Sequence, residues 1–74
     1  MRIKIKLFAS LRAGRFDSAD RDLQAGSAVR DALREIAVPE KEAHIIFLNG
    51  RHAALDAALK DGDALSVFPL IGGG

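Results

Sequence analysis

Few side chains in this sequence are of a type and spacing that could do chemistry. There is no cysteine, so disulfides, thiolate metal ligands and thiol nucleophiles are excluded. His44 and His52 are the two histidines, and neither stands at ligand spacing from a carboxylate or from the other. A structural metal site needs several converging donors, so no metal is expected. Ser10, Ser18, Ser27 and Ser66 lack a nucleophile-elbow context and a neighbouring base. Asp61 and Asp63 flank Gly62 in a pattern that turn geometry explains, and no glycine-rich phosphate loop lies between a strand and a helix. What remains is the stretch "SVFPLIGGG". The α-carboxylate of Gly74 is a reactive group once it is activated, for example by adenylation with ATP. Gly73 and Gly72 would let it enter a narrow site in another protein, because they have no Cβ to clash and a free choice of backbone angles. An inert, frayed end has the same composition, and the terminus by itself does not separate the two.

The elements that must hold such an end fit one small domain. The chain has 74 residues, 49% of them hydrophobic and 28% charged, with a net charge of +1. This composition is that of a globular chain, not a disordered one. The charge balance leaves no basic footprint for nucleic acid, and no apolar run approaches the ~18 residues of a membrane span. The alternating N-terminus has no signal-peptide core, and the expected location is cytoplasmic. Arg2, Lys4, Lys6, Arg12 and Arg15 all precede the first acid, Asp17. They read either as a solvated face or as a docking stripe for an acidic partner.

"RIKIKLF" alternates strictly and predicts a half-buried strand with Ile3, Ile5 and Leu7 inward and Phe8 on the polar face. Residues 9–22 form a loop or weak second strand, and "DLQAG" could close a hairpin with Leu23 inward. "SAVRDALREIAVP" is the clearest helix. Ser27 serves as its N-cap, Val29, Ala32, Leu33 and Ile36 form one apolar stripe, and Pro39 stops it. "HIIFLNGRHA" predicts a strand, an Asn49-Gly50 turn and a short return. "ALDAALKDGDAL" allows one helical turn at most before a turn around Gly62. In "ALSVFPL", Leu65 and Val67 fall on one side and Ser66 and Phe68 on the other, and Pro69 ends the strand. One helix with a single apolar face needs one sheet to lie on. The expected fold is therefore α+β: a β-grasp with a mixed sheet of four to five strands and one helix across one face. The first and last strands would lie side by side, with Phe8 and Phe68 together on the face away from the helix, as a partner surface would require. The domain is expected over residues 1–70, with a flexible glycine tail over 71–74.

Nearly the whole chain resembles the ThiS/MoaD group of ubiquitin-like sulfur carriers. "IKIKLFASLR" is similar to the family's first strand and its Phe-Ala-x-Leu-Arg, and "SAVRDALREI" to its helix start. "IIFLNGRHA" is similar to its V-x-V-N-G-x hairpin. "LKDGDALSVFPLIGGG" resembles the ending L-x-D-G-D-x-V-x-x-F-P-P-V-x-G-G, which is the most specific match. Leu70 replaces the second proline, Gly72 occupies a slot that is usually alanine or serine, and residues 14–26 match poorly.

The resemblance implies a mechanism. An E1-like adenylyltransferase of the MoeB/ThiF kind adenylates the carboxylate of Gly74, using ATP that the activating enzyme holds. A persulfide donor then replaces the AMP with sulfur to leave a thiocarboxylate. In the MoaD branch the carrier is the non-catalytic small subunit of molybdopterin synthase, and its tail enters a MoaE-like large subunit. On this reading the chain is no enzyme and binds no cofactor. Gly74 carries the sulfur, Gly73 and Gly72 give access, and Phe68, Phe8, Pro69 and Leu70 contact the partners. A carrier for another pathway, such as thiamine thiazole or cysteine, and a protein modifier joined to lysines through Gly74 stay open beside it.

Overall fold

A computed structural model describes residues 1–70. Among these, five strands form a single mixed sheet: β1 (Arg2–Leu7), β2 (Ser18–Asp22), β3 (Ile45–Leu48), β4 (Arg51–His52) and β5 (Ala64–Phe68), in the order β2-β1-β5-β3-β4. One helix, α1 (Val29–Glu35), crosses one face. β1 and β5 pair in parallel, with Ile5 opposite Leu65 and Leu7 opposite Val67. The other neighbours pair antiparallel.

The period-two pattern sets the core. Ile3, Ile5, Leu7, Leu65 and Val67 point from the two central strands toward Val29, Ala32 and Leu33 of the helix, and all are buried. The Phe-Ala-Ser-Leu-Arg stretch leaves β1 by a reversal at Ala9, whose φ is +53°. A 3-10 turn (Ala9–Arg12) then drops Leu11 into the core. β2 carries Ser, Ala, Asp, Arg and Asp with no large apolar residue, so hydrophobic periodicity gives it no signal. It forms because β1 offers it a free edge, and Leu23 packs against the core just beyond it. Its charged residues also discourage further pairing at the exposed edge of the sheet.

Two local expectations are corrected. Ser27 does not cap the helix, since its hydroxyl donates to the Gln24 carbonyl at 2.8 Å and closes a turn. The first helical N–H groups, which lack partners within the helix, are met from elsewhere. Val29 N–H donates to the Ala57 carbonyl and Arg30 N–H to the Leu55 carbonyl, both at 2.9 Å. The Asp31 carboxylate accepts from Ala28 N–H at 2.8 Å.

The expectation of one helical turn at most before Gly62 agrees with the structure: a single tight turn is closed by Ala57 N–H donating to the Ala54 carbonyl at 3.1 Å, while the Leu55 and Ala57 carbonyls turn outward to α1. The second correction concerns Pro39, which does not end α1. The helix stops at Glu35, and Ala37 takes a left-handed conformation with φ +59°. Val38 N–H reaches the Leu33 carbonyl at 2.9 Å and Ala37 N–H the Arg34 carbonyl at 3.1 Å, which is the Schellman arrangement. Pro39 lies beyond it.

Ala37 occupies a position that normally favours glycine. Ala37→Gly should raise stability by roughly 0.5–1 kcal/mol, because the relief of left-handed strain exceeds the added entropy of the unfolded chain. A higher urea midpoint with an unchanged m-value would be the expected result.

Candidate functional site

The face of the sheet opposite α1 is uncovered, and its side chains follow from register. On β1 the outward residues are Arg2, Lys4 and Lys6, with Phe8 just beyond. On β5 they are Ala64, Ser66 and Phe68, and Phe68 lies opposite Ile45 while Ser66 lies opposite Phe47. At the end of the sheet where β5 finishes, these positions gather the aromatics. Phe8 stacks on Phe68 with ring centroids 4.2 Å apart and planes 10° from parallel. Phe47 meets Phe68 edge-on at 5.8 Å, and His52 meets Phe47 edge-on at 4.6 Å. Such pairs contribute about 0.5–1.5 kcal/mol each beyond area burial.

A shallow, mostly apolar groove of about 420 Å3 runs beside this cluster. His44, Ile45, Phe47 and His52 line it on one side, and Phe68, Pro69 and Leu70 on the other. His44 N–H donates to the Phe68 carbonyl at 2.9 Å, which fixes where β5 ends and where the chain leaves the sheet. Ile45 is 37% exposed and Leu70 is 55% exposed, so the groove carries free apolar surface at both margins.

Of the four residues expected to contact partners, Phe8 and Phe68 are half-buried on the open face and Leu70 is exposed. Pro69 is buried. It helps to form the groove but presents little surface of its own. Gly72, Gly73 and Gly74 lie outside the described residues. Sequence reasoning missed Ile45, Phe47 and His52. Their only signal was the two-residue spacing of Ile45 and Phe47, and the unbroken run Ile-Ile-Phe-Leu hides which pair faces outward.

The N-terminal basic residues do not form one stripe. Arg2 pairs with Asp22 at 3.6 Å and with Asp20 at 4.0 Å, and Arg12 pairs with Asp17 at 4.0 Å. The Arg15 guanidinium donates to the carbonyls of Leu11 at 3.1 Å and Ala37 at 2.9 Å, tying the loop to the end of the helix. Lys4 and Lys6 share the open face with the aromatics. Among the described residues, no group of histidines and carboxylates could hold a metal ion, and no helix is long and apolar enough to cross a membrane.

One helix across a mixed sheet, with parallel first and last strands at its centre, defines a ubiquitin-like β-grasp protein. The ThiS family model matches residues 5–74, and the chain belongs to that family, the ThiS/MoaD-type ubiquitin-like sulfur carriers. SAMP1 of Haloferax volcanii, the small archaeal modifier protein 1, is similar to it at 29% identity. That match covers 100% of both chains with a TM-score of 0.81. A putative molybdopterin converting factor, subunit 1, from Pyrococcus furiosus is 34% identical over 96% of this chain and 99% of its own, with a TM-score of 0.75. The complex of subunits 1 and 2 of the molybdopterin-converting factor from Helicobacter pylori matches at 23% identity and a TM-score of 0.62, over 100% of both chains, and shows the shared fold. No curated protein sequence matches the chain.

Phe68→Lys should leave the fold standing, because the core side chains of β5, Leu65 and Val67, point the other way. The loss of the Phe8 and Phe47 contacts should cost about 1–3 kcal/mol. Binding of a partner that docks on this open face should fall by a further, separate factor of about tenfold or more, as for a central interface aromatic. Urea unfolding and titration calorimetry on the same variant separate the two effects. An unfolded variant would show that Phe68 belongs to the core.

Proposed function

We propose that this chain carries sulfur as a thiocarboxylate on Gly74 and delivers it to molybdopterin synthesis. An E1-like adenylyltransferase and a molybdopterin synthase large subunit would be its partners. The observation that supports this most is where the chain leaves the fold. Phe68, Pro69 and Leu70 line the apolar groove, and residues 71–74 separate Leu70 from the terminal carboxylate. Four fully extended residues span at most about 14 Å. On this proposal, a partner docked on the groove would have its catalytic centre within that distance of Leu70.

In the proposed reaction, a carboxylate oxygen of Gly74 attacks the α-phosphorus of ATP in the activating enzyme, and pyrophosphate leaves. The outer sulfur of a donor persulfide then attacks the acyl carbon and AMP leaves. A second thiol of the donor or activating enzyme cleaves the resulting acyl disulfide, forming a disulfide with the donor sulfur and releasing the thiocarboxylate. The carrier supplies no acid or base to any of these steps; it supplies the electrophile and the docking face. Glycine at positions 72–74 keeps the approach free of Cβ atoms. The molybdopterin branch is favoured by the identity to the Pyrococcus converting-factor subunit, whose length the chain matches.

A second reading is favoured by the full-length similarity to the Haloferax modifier. The same activated carboxyl would be attacked by a lysine amine of a target protein, and AMP or a thiol would leave as the amide forms.

Intact mass after co-expression with an E1-like enzyme and a sulfur source tests the first reading. The expected change is the exchange of one oxygen for sulfur in the last peptide, absent when Gly74 is deleted. Conjugates of higher mass that vanish in the same deletion, without the sulfur exchange, would establish the modifier instead.

A further inference from the structure

Asn49 is the chain's single asparagine, and Gly50 follows it. Asparagine before glycine is the pair most open to deamidation, because glycine has no Cβ to obstruct attack by its own backbone nitrogen. In this fold both ends of the carboxamide are held. Asn49 Nδ2 donates to Asp63 Oδ1 at 2.8 Å, and Asn49 Oδ1 accepts from Ala64 N–H at 2.8 Å. The second Asp63 oxygen accepts from Lys60 N–H at 2.7 Å, and Asn49 N–H donates to the Ala64 carbonyl at 2.8 Å. This clamp fastens the β3–β4 turn to the start of β5. We propose that Asn49 is a conformation-gated deamidation site: inert while the clamp is closed, reactive once the hairpin opens, and unable to rebuild the clamp afterwards.

The chemistry needs only water. The Gly50 nitrogen attacks Asn49 Cγ, the Cγ–Nδ2 bond breaks, and ammonia leaves a five-membered succinimide. Water opens the ring at either carbonyl and yields aspartate or isoaspartate at position 49, with no change of oxidation state. In the aspartate product an oxygen replaces the nitrogen that donated to Asp63, so two carboxylates face each other where a 2.8 Å hydrogen bond had been. In the isoaspartate product Cγ is bonded to the Gly50 nitrogen and the free carboxylate sits on Cα, so the side-chain amide donor to Asp63 is gone as well. Isoaspartate also inserts a methylene into a turn whose two residues have φ of +53° and +83°. β4 is only Arg51–His52 and depends on that turn, and it carries His52 against Phe47. Damage at the turn therefore reaches the groove. The inference holds whether the groove serves sulfur carriage or protein modification.

The full-length chain is incubated in mildly alkaline buffer, with and without enough urea to unfold it, and deamidation is followed by intact mass and peptide mapping. The folded chain should react at least about tenfold more slowly, because two hydrogen bonds must open first. Equal rates would overturn the gating. Asn49→Asp should lower the urea midpoint and speed amide exchange in residues 45–52, and a variant as stable as the parent would overturn the consequence. The double variant Asn49→Asp/Asp63→Asn moves the amide to position 63. There its nitrogen can donate to the carboxylate at 49 and its oxygen can accept from Lys60 N–H. It should regain most of the lost stability; no recovery would remove the clamp from the account.

Discussion

Everything else in this molecule depends on the parallel pairing of β1 with β5. It brings residues about sixty positions apart side by side, with Ile5 against Leu65 and Leu7 against Val67. One face of that ribbon is the floor on which α1 rests, and the other carries Phe8 stacked on Phe68. The core and the candidate docking surface are thus two sides of a single pairing. The pairing also spans the greatest sequence separation among the strand pairs, so its formation bears the largest loop-closure cost.

The Asp-Gly-Asp turn before β5 supports this pairing from below. Arg2 N–H donates to an Asp61 carboxylate oxygen at 2.7 Å, Gly62 N–H to the Arg2 carbonyl at 2.8 Å, and Lys4 N–H to the Asp63 carbonyl at 3.0 Å. With Asp63 also holding Asn49, one tight turn joins the starts of β1 and β5 to the β3–β4 hairpin. Two motifs of the resemblance, Asn-Gly and Asp-Gly-Asp, therefore act here through the fold. The chemistry proposed for the tail needs neither.

The sequence made legible what period and steric type encode. Strict alternation gave β1 and the outward placement of Phe8, and Leu65/Val67 against Ser66/Phe68 gave both faces of β5. Asn49-Gly50, with its demand for two positive φ angles, gave the hairpin. Interactions between distant segments left no local trace. The helix start is satisfied by carbonyls of Leu55 and Ala57, so a local cap at Ser27 was the wrong inference from the right residue type. The helix end uses an alanine where glycine would have announced it. β2 owes its existence to a neighbouring edge. At the candidate site, Phe8, Phe68 and Leu70 were readable, whereas Phe47 and Ile45 sat in an apolar run without period, and the burial of Pro69 depends on how β5 terminates.

Because β1 and β5 run in the same direction, tension on the chain has a definite geometry. A partner that draws the segment beyond Leu70 into its interior pulls β5 along its own axis, against a β1 anchored by the rest of the sheet. The hydrogen bonds between them are loaded together in shear, as a row of rivets is, instead of parting one after another as in a peeled hairpin. The fold is therefore mechanically stiff in the direction in which its end would be pulled. The weakly held two-residue strand β4 lies at the far edge of the sheet, away from that line of force.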